Sequence, residues 1–111
     1  SGRRDYVARP PSAPDPSVTL EDLLAAFEVR HWAGLQIQPL TQGGPPSGLA
    51  TLRTWLKHDA RLGPTAAALG ISVPGVRKRL TRVEEALQRS LLQAPSAKYD
   101  LWLALRARGE L

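Results

Sequence analysis

The sequence predicts an all-α fold of about five helices that includes one helix-turn-helix, with little or no sheet. Apolar residues recur at spacings of three and four in most segments that lie between proline- or glycine-rich turns. Residue types that cap helices precede several of these segments. The one briefly alternating stretch, residues 35–40, contains Pro39, which argues against a central strand. These observations favour helices connected by turns.

The first predicted helix follows a proline-rich segment at residues 8–18, so we expect a linker or disordered tail over residues 1–18 and a helical domain over residues 19–111. Thr19 can cap this helix together with Asp22. Its apolar face is expected to comprise Leu20, Leu23, Leu24 and Phe27. The helix is expected to end near His31, and residues 35–40 are expected to be extended or irregular.

The next two predicted helices are shorter. Ser47 can cap a helix that ends near Asp59 and has an apolar stripe of Leu49, Leu52, Trp55 and Leu56. An alanine-rich helix then has Pro64 in its first turn and ends at Gly70, where a left-handed cap is expected.

The fourth predicted helix begins at Pro74 and extends to Leu92. On a helical wheel its core stripe is Val76, Leu80, Val83 and Leu87. Its outer side and flanks carry Arg77, Lys78, Arg79 and Arg82. A last helix, from Pro95 or Ser96 to Gly109, is apolar nearly all round. It is therefore either buried in the domain or shared on one side with a second copy.

The alanine-rich helix, the turn at residues 70–73 and the helix from Pro74 together predict a helix-turn-helix at about residues 64–89. Ile71 is expected to fill the joint, and Val76 to pack back on the first helix. The alternative is a helical hairpin whose charges are merely solvated. The combination of small residues, a glycine turn and a basic helix favours DNA.

Charge is distributed unevenly along the chain. Residues 1–50 carry four basic and five acidic side chains (net −1), whereas residues 51–111 carry eleven and five (net +6). A basic half is compatible with nucleic acid, an anionic membrane surface or an acidic protein.

Composition excludes several functions. The chain has 111 residues, the size of one domain, and no cysteine, so disulfides and thiolate metal sites are excluded. Neither a metal nor a cofactor motif is present, and no set of side chains resembles a catalytic site, so we expect no enzyme. A cytoplasmic location is expected, because no apolar run is long enough to span a bilayer. The chain lacks Met and begins with Ser-Gly, so we expect a fragment of a longer protein.

Residues 49–108 resemble the C-terminal helix-turn-helix of the PucR family of bacterial transcription regulators. The matching positions are Thr51, Leu52, Trp55, Leu56, Ala67, Leu69, Gly70, Val76, Arg77, Arg79, Leu80, Arg82, Leu101, Ala104 and Leu105. The resemblance implies an all-α DNA-binding domain and an effector bound by a missing upstream domain. The chain departs from the family pattern at Ser72, Pro74, Gly75 and Lys78, near the start of the helix expected to face DNA.

Candidate contacts to double-stranded DNA follow from the predicted helix-turn-helix. Base edges, or the phosphates beside them, are expected to meet Ser72, Gly75, Arg77 and Lys78. The phosphates are expected to be contacted by the side chains of Thr65, Arg79 and Arg82. They are also expected to accept hydrogen bonds from free backbone N–H groups at residues 64–66. A homodimer on two half-sites is expected, because one helix reads few base pairs. The alternative function is a helical protein-interaction module whose basic face binds an acidic partner.

Overall fold

The computed structural model describes residues 17–111, and in this part of the chain six helices are present and no strand. The helices are α1 (Leu20–Leu24), α2 (Phe27–Thr41), α3 (Gly48–Lys57), α4 (Leu62–Leu69), α5 (Val73–Leu87) and α6 (Lys98–Ala107). The predicted all-α class is confirmed. The predicted tail lies outside the described residues except for its last two positions.

The first predicted helix is divided into α1 and α2. Thr19 and Asp22 form the predicted capping box: the Asp22 N–H donates to the Thr19 hydroxyl (3.2 Å), and the Thr19 N–H donates to the Asp22 carboxylate (3.0 Å). The hydrogen bond from the Thr19 backbone, with the Thr19 hydroxyl beside it, lowers the pKa of Asp22 below its ordinary value. Ala26 is extended, however, and interrupts the helix. The predicted single apolar face is therefore wrong, because only Leu24 is buried.

Helix α2 continues through the stretch that was expected to be irregular. Pro39 is its third-last residue and cannot donate the usual hydrogen bond to the carbonyl four residues earlier. Ile37 is fully buried and Leu40 nearly so, and this burial in the core offsets the lost hydrogen bond. His31 consequently lies within a helix rather than at the end of one, which corrects the predicted boundary.

The loop after α2 folds back onto the end of that helix at Gly44. A Cβ atom at Gly44 would lie 2.5 Å from the carbonyl oxygen of Pro39 and 2.8 Å from the Cα of Leu40. Both are backbone atoms, so they cannot move aside as a flexible side chain would. This position therefore requires glycine for close approach.

Gly44→Ala is expected to lower the free energy of unfolding by about 1–3 kcal/mol, because the added methyl group forces a backbone shift. Gly63→Ala is the matched control, since a Cβ atom there meets no heavy atom within 4 Å. In helix α4 the control is expected to be neutral or to stabilise by about 0.5–1 kcal/mol. Urea unfolding followed by circular dichroism measures both, and equal effects would contradict the close approach at Gly44.

Helix α3 matches its prediction except at its start. Leu52, Trp55 and Leu56 are buried, and Leu49 is half-buried. Ser47 precedes the helix but does not cap it through its side chain, because its backbone is left-handed (φ 61°). The predicted serine cap is therefore wrong.

Helix α5 has the predicted core stripe but ends five residues earlier than expected. Val76, Leu80 and Val83 are fully buried against the neighbouring helices α3, α4 and α2. The Glu84 carboxylate accepts hydrogen bonds from the N–H groups of Leu91 (2.6 Å) and Leu92 (3.0 Å). These bonds hold the chain after α5 in a turn, so the helix ends at Leu87.

Helix α6 is mainly a core helix. Leu101, Ala104 and Leu105 are fully buried, and the helix packs chiefly against α2. Trp102 is half-buried, and the guanidinium of Arg106 lies 5.7 Å from the centre of its ring. Burial within one copy therefore accounts for most of the apolar excess that the sequence shows here.

Candidate nucleic-acid interface

The turn between α4 and α5 begins at Gly70, whose backbone is left-handed (φ 69°, ψ 31°) as predicted. The N–H of the next residue, Ile71, donates to the carbonyl of Ala66 (3.1 Å). The Ile71 side chain is half-buried and packs against the core, where it fills the joint between the two helices. These contacts fix the direction of α5 relative to α4.

The start of α5 is organised by Ser72 and Gly75. The Ser72 hydroxyl accepts the Gly75 N–H (3.1 Å), and the Ser72 carbonyl accepts the Val76 N–H (3.0 Å). A Cβ atom at Gly75 would lie 3.2 Å from the Ser72 hydroxyl oxygen, so glycine leaves room for this cap. The Gly75 N–H is thus already bonded, whereas Ser72 is exposed and keeps its hydroxyl hydrogen for another acceptor.

The predicted basic residues of α5 lie on its solvent side. Arg77, Lys78 and Arg82 are exposed, and Arg79 is half-exposed. Lys78 and Arg82 are one turn apart, and Arg77 and Arg79 flank them on the two edges of the face. Within residues 17–111, none of these four side chains forms an ion pair.

Four arginines elsewhere in the domain have acidic partners within residues 17–111. Arg53 and Arg108 both pair with Glu110, at 3.1 and 2.7 Å. Arg89 pairs with Asp100 at 2.6 Å, and Arg106 pairs with Glu21 of α1. The basic residues of α5 therefore differ from these framework arginines, because their charge is not neutralised within the fold.

Thr65 was predicted to contact phosphate, and the structure contradicts this. Its side chain is fully buried, and its hydroxyl donates to the carbonyl of Arg61 (2.6 Å). The expected free N–H groups at residues 64–66 are also misplaced, because α4 begins at Leu62 and the Thr65 N–H bonds to the Arg61 carbonyl. Local sequence did not reveal that Thr65 faces the core.

Arg61 is a candidate that the sequence reasoning missed. It directly precedes α4, its side chain is exposed, and it has no acidic partner in the described part of the chain. The available signal was a cation immediately before the Leu-Gly-Pro start of a helix, where a phosphate would also meet helix N–H groups.

Other chemistry finds little support over residues 17–111. No group of three or more His, Asp or Glu side chains is placed to hold a metal ion. No helix in this range is long and apolar enough to cross a membrane. His31 stacks on Phe27, with ring centres 6.2 Å apart, and pairs with no carboxylate among the described residues.

A short helix, a glycine turn and a second helix with an exposed basic face define a helix-turn-helix domain, a DNA-binding class. A family model described as the PucR C-terminal helix-turn-helix domain matches residues 49–107. The chain belongs to this family, whose helix-turn-helix domains are DNA-binding and regulatory rather than enzymatic. The resemblance predicted from the sequence is confirmed.

The chain is also similar to an uncharacterized protein in the pkwA 5′ region of Thermomonospora curvata. The two are 37% identical over 98 residues, which cover 86% of this chain and 52% of the relative. The chain thus spans about half the length of the curated relative that it matches. No solved structure matches the chain.

Proposed function

We propose that this chain binds double-stranded DNA sequence-specifically, as the C-terminal domain of a bacterial transcription regulator, with α5 in the major groove. One observation carries the proposal: Arg77, Lys78, Arg79 and Arg82 share the exposed side of α5 and have no acidic partner within residues 17–111. Four cations grouped on one helix face attract a polyanion electrostatically, and the phosphates of duplex DNA supply one.

The side chains divide into two groups by position on α5. Arg77 and Lys78 lie in its second turn and suit guanine O6 and N7, with the guanidinium able to bind both atoms at once. Arg79 and Arg82 suit phosphates that fix the register of the helix. We add Arg61 as a phosphate contact from the start of α4, and Ser72 as a hydroxyl donor at the start of α5.

An acidic protein surface is the alternative partner, because it would use the same basic face. The glycine turn and the Ser72 cap favour DNA, because they hold the start of α5 at the surface in a fixed direction. A protein partner recognised through charge alone would not need this arrangement.

The complete regulator is proposed to act in the cytoplasm as a homodimer on two related half-sites, with its effector bound by an upstream domain. Two copies are needed because one recognition helix contacts only a few base pairs. Half-site centres about 34–36 Å apart would place both recognition helices on the same side of the duplex.

Duplex affinity is expected to fall about a hundredfold between 50 and 200 mM salt, which corresponds to about four phosphates neutralised by the basic side chains. Fluorescence anisotropy with a labelled duplex, selected from a random pool, measures this dependence. Polyglutamate of similar charge is the control, and we expect the duplex to bind more tightly at each salt concentration. Equal binding of the two polyanions would favour the protein-interaction alternative.

A further inference from the structure

An exposed apolar ridge runs along α1 and α2, on the side of α2 that faces away from the core. The ridge comprises Leu23, Phe27, His31 and Leu35. The exposed fractions of Leu23, Phe27 and Leu35 are 58%, 79% and 53%, which are high for large apolar side chains. Contiguous exposure of this kind marks an interaction surface more often than chance.

Helix geometry makes the ridge continuous. Phe27, His31 and Leu35 are spaced four residues apart and project from one side of α2, opposite Ile37 and Leu40 in the core. The Phe27 and His31 rings stack with an angle of 8° between their planes, so the imidazole extends the apolar surface. Leu23 of α1 is exposed as well and precedes Phe27 by four residues, across the extended residue Ala26.

The ridge is the better surface for joining two copies. The sequence suggested α6 for this role, but Leu101, Ala104 and Leu105 of α6 are fully buried within one copy. Tyr99 on α6 remains exposed at 70%, but its neighbour Trp102 is half-buried beside Arg106. Within residues 17–111, α1 and α2 therefore present more contiguous apolar surface than α6.

We propose that a second copy of this chain docks on the ridge, with the two α2 helices antiparallel across a two-fold axis at His31. In this register Phe27 of each copy packs against Leu35 of the other, because the two residues lie at equal distances on either side of His31. The inference rests on the proposed DNA-binding function, which calls for two recognition helices in one complex.

Symmetry favours a second copy as the occupant, and the available area limits how tightly two copies can bind. A two-fold interface needs only one patch that is complementary to itself, and the ridge supplies aromatic and aliphatic ends that match under this rotation. From the exposed fractions, the apolar side chains offer about 400 Å² per copy, taking about 150–250 Å² for a whole aromatic side chain. Even if all of this surface were covered, two copies would bury about 800 Å² of apolar surface before flanking polar residues are included, which is below the roughly 1,000–1,200 Å² of a stable specific interface. The dimer is therefore weak in free solution and is stabilised when both copies bind adjacent half-sites.

Disulfide trapping tests the register directly, since the chain has no cysteine of its own. His31→Cys is expected to form covalent dimers under mild oxidation, because this position lies on the two-fold axis. Phe27→Cys and Leu35→Cys are expected to crosslink when mixed but not when each is oxidised alone. Tyr99→Cys, which is also exposed but lies off the ridge, is the control and should remain monomeric. Crosslinking of Tyr99→Cys as efficiently as His31→Cys would overturn the proposed interface.

A second pair of variants tests the ridge without crosslinking. The double variant Phe27→Asp with Leu35→Gln removes apolar surface from the ridge. Both substitutions are compatible with the helix, because Asp at position 27 lies at the start of α2 and Gln at position 35 is a good helix former in the interior of α2. We expect at least a tenfold higher dimer dissociation constant by sedimentation equilibrium, whereas Tyr99→Asp should match the unmodified chain. An unchanged dimer constant in the ridge variant would overturn the proposal.

Binding to a duplex with one half-site separates this proposal from the proposed function. The ridge variant should retain that binding and lose only the cooperativity seen with two half-sites. If the unmodified chain binds no duplex at all but still dimerises through the ridge, the proposed function fails and the interface stands. A chain that binds one half-site and remains monomeric at every concentration, with or without paired half-sites, would overturn the interface alone.

Discussion

Val76→Asp is expected to unfold the domain or loosen it severely, with a loss of about 3–5 kcal/mol in the free energy of unfolding. Val76 is fully buried in the stripe that includes Leu80 and Val83, and no cation in the described part of the chain lies within that stripe. A carboxylate there would be desolvated without a partner, or would have to take up a proton. Thermal and urea unfolding, followed by circular dichroism, measure the loss.

Val73→Asp provides the matched control for this experiment. The substitution is the same and lies three residues earlier on the same helix, but Val73 is 37% exposed and is the first residue of α5. A negative charge at a helix start is neutral or mildly favourable. Similar losses for the two variants would contradict the assignment of Val76 to the core and of Val73 to the surface.

Replacing Arg77 and Lys78 together by Ala is expected to weaken binding to a single-half-site duplex by about 2–4 kcal/mol, a factor of about 30 to 1,000. Both side chains are exposed, and neither has an acidic partner within residues 17–111, so the fold should be unaffected. The far-ultraviolet circular dichroism spectrum and the unfolding midpoint should therefore remain those of the unmodified chain.

The control for this double variant removes the same charge from other elements. Arg30→Ala with Lys98→Ala also lowers the net charge by two, but the two residues lie on α2 and α6. We expect a much smaller loss of affinity, because long-range attraction in physiological salt is screened within about 8 Å. Equal losses would mean that net charge, rather than the face of α5, governs binding.

The part of the fold that the sequence predicts best is the stretch from α3 to α5. Its signals are local: Gly70 can adopt a left-handed backbone, Ser72 can cap a helix, and Pro74 suits a first turn. Each acts within a few residues, so short-range sequence patterns are sufficient to place the turn and the two helices around it.

The prediction fails where distant contacts decide the outcome. Pro39 argued against regular structure, but burial of Ile37 and Leu40 against the rest of the domain maintains α2. The end of α5 depends on the Glu84 carboxylate, which accepts hydrogen bonds from the backbone after the helix. The helical pattern of the sequence indicates only that Glu84 is a charged residue near the surface. Thr65 was expected to contact phosphate at the start of the helix-turn-helix, and only packing shows that its side chain is buried.

The candidate interface was predicted as a cluster more accurately than as individual residues. The wheel placed the cations of α5 on its outer side, which the structure confirms. It did not indicate which other arginines are neutralised, because ion pairs such as Arg106 with Glu21 and Arg53 with Glu110 join residues far apart in the chain. The roles of the individual side chains toward bases and phosphates stay predictions.

The division between paired and unpaired arginines also bears on how fast a complex forms. Arg89 and Arg106 each have a carboxylate of their own beside them, so at a distance these charges largely cancel, whereas Arg53 and Arg108 share Glu110 and cancel only in part. The basic side chains of α5 form the largest group of cations on any one described helix that lack an acidic partner within residues 17–111, so they make the charge of the domain uneven in direction. The field of such a charge distribution turns an approaching molecule toward a polyanion before contact and raises the association rate constant. The ion pairs of the framework arginines therefore contribute to the steering of the domain toward DNA, because they reduce the attraction between the polyanion and the other faces of the domain.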